Sequence, residues 1–297
     1  MGLLWRYAWP LALGNIAMWG LRLSDRYLIG AFRPRAEVGL YSAAYNISGK
    51  SIDVLVAVFL LSMGPLVINT WEKLGREPTR QSLHSTARVF LIGCLPAAAG
   101  LTALAAPFVA RLTATPYHDG YRIVGFVVFS SFIYGLSQIA SMGLVIAGRT
   151  NRIALNQIAA ASVNLGLNLV LIPAFGFVAA GATTLIGYTM LLVLQAASAR
   201  SYLSWPFPYR TLRNVAVATV ASSLTAAGVY ALSGGGDDAH LGYLLLGIAT
   251  AIFVYGGCLA LLGELNVHEM DAIKHALARR TNKLKAVSLS AHPESRE

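Results

Sequence analysis

The chain has 297 residues, 56% of them hydrophobic and 12% charged, with a net charge of +10 and a mean hydropathy of +0.59. Soluble domains carry about 25% charged residues, so half that value along the whole length excludes an ordinary soluble domain and indicates an all-α polytopic membrane protein. The basic residues sit between apolar runs, as in loops of membrane proteins, so the positive charge implies no nucleic acid. Cys94 and Cys258 lie inside apolar runs and the six histidines are scattered, which implies neither a disulfide framework nor a metal site.

A span needs about 20 mainly apolar residues, and about eight are legible. The first lies near Tyr7–Phe32, with a charged cluster late in it, and the second near Val38–Thr70, with Gly49, Gly64 and Pro65 as candidate breaks. A polar, basic connection follows at Trp71–Ser82. The third span is placed near Ala87–Leu112, containing Pro96 and Pro107, and the loop TATPYHDGYR leads to the fourth, near Ile123–Ala147. GRTNR links it to the fifth, near Ile153–Pro173, and PAFGFVAAG turns into the sixth, near Val178–Ala199. In RSYLSWPFPYRTLR the rings of Trp205, Phe207 and Tyr209 mark a membrane interface, and Pro206 and Pro208 prevent a continuous helix. The seventh and eighth spans, near Val215–Leu232 and Leu241–Leu262, flank the Gly-rich, acidic SGGGDDAH. From Val267 to Lys285, Met270, Ile273 and Leu277 share one helical face while Lys274, Arg279, Arg280, Lys283 and Lys285 crowd the other. That pattern suits either a helix lying on anionic membrane lipids or a solvated terminus, with disorder expected after Val287.

The stretch Leu21–Asp53 concentrates what chemistry the sequence offers. Arg22, Asp25 and Arg26 fall inside the first apolar run, Lys50 and Asp53 inside the second. A charge at membrane depth costs roughly 2.5–3.5 kcal/mol on insertion scales and is usually turned to the protein interior. Arg22 and Arg26 are one helical turn apart, Asp25 is three residues from Arg22, and Lys50 and Asp53 repeat that spacing. Two readings fit: a salt-bridge network that locks two helices, or a cationic surface, held by charge pairing with Asp25 and Asp53, that binds something negative. The surplus of cation over anion favours the second, with Arg22, Arg26, Lys50 and Asn46 as candidate binding residues and Tyr45 and Ser48 as neutral donors. In the fifth span, Asn156, Asn164 and Asn168 share a face, and such buried amides either bind helices together or line a polar cavity.

Sixteen Lys and Arg fall on the side that holds both termini, residues 71–88, 148–152 and 199–213, and four on the opposite side. Both termini are therefore expected in the cytoplasm. No Gly-rich phosphate loop, HExxH, nucleophile elbow or carboxylate pair at one membrane face is present, so no enzyme and no cofactor is expected.

The runs SDRYLIGAF, VGLYSAAYNISGK, GLVIAGRTN and NLGLNLVLIPAFGFVAAGAT occur in that order. This pattern resembles the second half of bacterial O-antigen and polysaccharide flippases of the multidrug/oligosaccharidyl-lipid/polysaccharide (MOP) exporter superfamily, over nearly all of the chain except its tail. Such proteins carry twelve to fourteen spans in two six-helix lobes. The resemblance thus implies a second-lobe bundle over residues 1–200, two additional spans over 201–263 and a cytoplasmic tail over 264–297. It implies, in a bacterial inner membrane, the flipping of an undecaprenyl-diphosphate-linked oligosaccharide for O-antigen or exopolysaccharide synthesis. Arg22, Arg26 and Lys50 would then face the diphosphate. A missing N-terminal lobe, or a partner chain supplying it, would complete the transporter; a truncated or split gene would account for its absence. A non-transporting remnant or partner subunit, or half of a cation-coupled drug exporter, remains the alternative.

Overall fold

The computed structural model describes residues 2–232 and 241–264. SGGGDDAH and the basic segment after Glu264 lie outside the described residues. Every regular element is helical, because in lipid a lone segment satisfies its backbone only by coiling on itself. The elements are α1 (Gly2–Phe32), α2 (Arg35–Leu74), α3 (Arg76–Ala103), α4 (Ala105–Leu112), a 3-10 turn (Thr115–Gly120), α5 (Tyr121–Ile146), α6 (Thr150–Phe175), α7 (Phe177–Ala199), α8 (Tyr209–Ala231) and α9 (Leu241–Leu261). Among the described residues seven helices are long and apolar enough to cross a membrane, so this is a multi-pass membrane protein. α1, with 31 residues, has the length of an eighth but is not among those seven.

Three boundaries differ from the sequence expectation. α2 runs unbroken for 40 residues through Gly49, Gly64 and Pro65, about 60 Å at 1.5 Å per residue. The basic connection at 71–82 is helical on both sides of Gly75, since Glu, Lys, Arg and Gln are good helix formers whatever their polarity. The third span divides at Leu104 rather than continuing to Leu112. Pro107 there lacks an N–H, and its ring clashes with the carbonyl of Ala103 four residues back.

α1 lies along α6, α6 along α7, α7 on α5, α5 on α2 and α3, α3 on α8, and α8 on α9. α1 and α9 thus close opposite ends of the bundle. The largest apolar cluster joins α2, α3, α5 and α8, with the rings of Phe59, Phe90 and Phe132 in sequence at centroid distances of 5.1 and 5.6 Å. Two smaller clusters tie α1 to its neighbours, one around Ile29, Tyr41 and Ile172 and one around Met18, Leu21, Tyr188 and Leu191. The candidate site lies between them.

PAFGF has a specific structural reason. Gly176 has φ +66°, and Glu37 Oε2 occupies the space a β-carbon would need. The same oxygen accepts the Phe177 backbone N–H at 3.0 Å, and Arg33 pairs with Glu37 at 2.8 Å. An acid from the first turn of α2 therefore caps α7, where unsatisfied N–H groups and the helix dipole favour negative charge.

Candidate functional site

Asp25, in α1, is fully buried. Its Oδ2 accepts from the Tyr41 hydroxyl at 2.5 Å and from Thr184 Oγ1 at 2.9 Å, and its Oδ1 accepts from Asn168 Nδ2 at 2.7 Å. Donors from α2, α7 and α6 thus converge on one carboxylate. Asn168 extends the chain: its Oδ1 accepts from Thr183, and its amide N–H also reaches Asn164 Oδ1 at 3.3 Å. The Asn164 amide nitrogen is buried with no hydrogen-bond partner. A buried carboxylate is costly unless its lone pairs are satisfied, and here neutral donors do that work.

The expected charge pairing is not a close ion pair: the Arg26 charge acts on Asp25 only at longer range. Among the described residues no cation lies within 4 Å of the Asp25 carboxylate, nor does Lys50 bridge to Asp53. The reason is visible in where the arginines go. Arg22 reaches across the bundle, its Nε–H donating to the Tyr188 hydroxyl at 3.0 Å and its guanidinium lying 5.1 Å from the Tyr134 ring centre. Arg26 folds over Tyr45 at 4.9 Å and Tyr41 at 6.0 Å. A guanidinium is weakly hydrated and stacks on aromatic faces, so four tyrosines compete with one carboxylate that three other donors already hold.

Of the sequence candidates, the structure brings Arg22, Asp25, Arg26 and Tyr45 together. Asn46 and Lys50 lie on the exposed side of α2, one turn apart, without a hydrogen bond or ion pair among the described residues. Asp53, half-buried, follows on the same side. The asparagine face of α6 divides its work. Asn156 joins α6 to α7 through Gln195 Oε1 at 3.1 Å and Ser198 Oγ at 3.2 Å, whereas Asn168 serves the Asp25 site. Sequence reasoning did not assign Tyr134, Tyr188, Thr183 or Thr184 to the site. Tyr134 and Tyr188 stand in apolar helices with no spacing signal, and only their shared proximity to Arg22, with ring centres 5.4 Å apart, reveals them.

Chemically, Asp25 is fully engaged, while the terminal nitrogens of Arg22 and Arg26 meet no carboxylate among the described residues. The arrangement therefore offers forked N–H donors inside the helical bundle, the chemistry that recognises an oxyanion. Groups of three or more His, Cys, Asp or Glu able to hold a metal ion are absent among the described residues.

A second buried acid lies at the other end of the bundle. Glu264, just after α9, meets Arg88 of α3 at 3.3 Å, and the Arg88 guanidinium also donates to the Glu264 carbonyl. Thr211 and Asn214 of α8 donate to its carboxylate at 3.0 and 2.9 Å.

No protein-family model and no curated protein matches the chain. Two solved structures are similar to it. One is a MOP superfamily transporter from Pyrococcus furiosus, described as having a binding pocket of reverse polarity that suggests a different function. It is 16% identical with a TM-score of 0.50, covering 86% of this chain and 64% of that one. The other is a multidrug resistance MATE family transporter of the same superfamily in an outward-facing conformation, 16% identical with a TM-score of 0.47 and the same coverage. The chain thus spans 64% of the length of either transporter. At this identity the likeness is one of architecture: over most of its length the chain has the helical fold of a MOP superfamily transporter.

Proposed function

We propose that the chain is the second lobe of a transporter that moves an undecaprenyl-diphosphate-linked oligosaccharide across a bacterial inner membrane. Residues 1–200 form the lobe, 201–263 add two spans, and both termini face the cytoplasm. The observation that carries the reading is the pair Arg22 and Arg26, held against tyrosine rings with no carboxylate within 4 Å among the described residues. A diphosphate takes up their free N–H groups by forked hydrogen bonds, and Lys50 adds a point charge from the open side of α2. The exposed Asn46 and Lys50 require a covering at membrane depth other than lipid. The first lobe, in the same polypeptide or a partner chain, supplies it and encloses the site. The reverse pocket polarity described for the Pyrococcus furiosus transporter is a precedent for function following pocket charge on this fold.

The reading is tested by complementation of a flippase-deficient strain with this chain and a first lobe. Arg22→Ala and Arg26→Ala abolish complementation while membrane insertion survives; wild-type complementation by both variants contradicts the assignment.

One observation favours a second reading, half of a cation-coupled drug exporter: the fully buried Asp25 has no cation within 4 Å among the described residues. In that case Asp25→Asn abolishes gradient-driven efflux of a cationic dye and Arg22→Ala leaves it intact, the reverse of the flippase pattern. Absence of both activities with the unsubstituted chain identifies a non-transporting partner subunit.

A further inference from the structure

Between α5, α7 and the irregular segment at 201–208 lies a cavity of about 240 Å³ with no part in the site above. Leu136, Ile139, Ala140, Leu192 and Ala196 form its apolar body. Its rim is different: Arg200, Ser204, Trp205 and Tyr209 all line it. None of the four side chains makes a hydrogen bond or ion pair among the described residues, and no acidic residue lines the cavity.

The segment that makes this rim is held in place. Leu203 Cβ lies 3.2 Å from the point a β-carbon on Gly143 of α5 would occupy, so the segment rests directly on that helix. Further on, the His84 ring of α3 meets the Pro206 carbonyl at 2.8 Å. Trp205, Phe207 and Tyr209 form a ring ladder with centroid distances of 6.0 and 5.0 Å. Such rings settle at the headgroup level of a bilayer, with one end in hydrocarbon and the other in water. The cavity therefore opens at an interface, with its apolar body at acyl depth and an unpaired cation among neutral donors at headgroup depth.

We infer that this cavity is a binding site for one anionic phospholipid of the adjacent leaflet. An acyl chain occupies the apolar body between α5 and α7, and the headgroup phosphate sits against Arg200 with Ser204, Trp205 and Tyr209 donating around it. Basic pockets between membrane helices hold anionic headgroups in this manner. The site is separate from Arg22 and Arg26 and does not rest on the identity of the transported substrate.

The test uses the whole chain reconstituted in vesicles of equimolar phosphatidylglycerol and phosphatidylcholine, extracted in mild detergent and weighed intact by native mass spectrometry. Wild-type protein retains phosphatidylglycerol over phosphatidylcholine. Arg200→Glu lowers that ratio about tenfold, Arg200→Lys restores most of it, and Ala140→Phe expels the lipid by filling the cavity. The basic segment after Glu264 is common to all variants, so its own attraction for anionic lipid cancels in the comparison. Equal retention of the two lipids by wild type, or an unchanged ratio in Arg200→Glu, overturns the proposal. Arg200 is exposed at the end of α7, so its substitution decides the matter even if the Ala140 variant fails to assemble.

Discussion

Among the described residues two carboxylates are buried, Asp25 and Glu264, and they are treated in opposite ways. Glu264 meets a cation, Arg88, together with Thr211 and Asn214. Asp25 meets only neutral donors, Tyr41, Asn168 and Thr184, although two arginines lie within four residues of it. A paired acid whose remaining lone pairs are satisfied is a lock: it fixes the end of α9 against α3 and α8 and leaves no charge to offer. An acid neutralised by dipoles, beside arginines stacked on tyrosines, leaves those cations available. The same types of residue therefore build a clamp around Glu264 and, in the proposed reading, an anion site beside Asp25, and the difference lies in which partner the cation takes.

Four substitutions sharpen or break this contrast. The largest effect on stability is expected from Arg88→Ala, which leaves Glu264 buried and uncompensated. Removing one partner of a buried pair costs about 3–5 kcal/mol, read as a large drop in the unfolding midpoint in detergent. The double variant Arg88→Met with Glu264→Gln recovers most of it, and a failure to recover means that Glu264 is not a lock. Asp25→Ala comes next. It strands the Tyr41 hydroxyl and one Asn168 N–H, while Thr184 keeps its bond to the Ala180 carbonyl and the cost of burying the carboxylate is relieved, for a net loss of about 1–3 kcal/mol; Asp25→Asn keeps the shape and loses less. Glu37→Gln removes the charge that caps α7 at Phe177, with an expected loss of about 1 kcal/mol in the same measurement. Asn156→Ala, which removes an interhelical amide away from either carboxylate, costs about 0.6–2 kcal/mol. A larger loss for Asn156→Ala than for Asp25→Ala reverses the ranking and moves the structural centre of α6 away from the site.

Hydropathy and turn residues made the helical architecture legible, and with it the crowding of charge in Leu21–Asp53. The spacing of Asn156, Asn164 and Asn168 correctly placed all three on a buried face. What spacing along one helix does not encode is competition across the bundle. Arg22 and Asp25 stand at a distance that suits an ion pair, yet Tyr188 and Tyr134 reach Arg22 from helices more than 100 residues further along the chain. Proline and glycine were also poor guides inside lipid. Pro65 leaves α2 continuous, whereas Pro107 accompanies a break after Ala103, because neighbouring groups decide whether the freed backbone is satisfied again. Glu264 reads in the sequence as the start of the tail, and only the fold shows Arg88 waiting for it.

The most direct test of the anion site is equilibrium binding of undecaprenyl diphosphate to the whole chain in nanodiscs, alongside its thermal stability. The account predicts binding that weakens at least tenfold, about 1.4 kcal/mol, in Arg22→Ala and in Arg26→Ala, with Arg88→Ala losing stability instead. Equal affinity in wild type and both arginine variants, at unchanged stability, would contradict it.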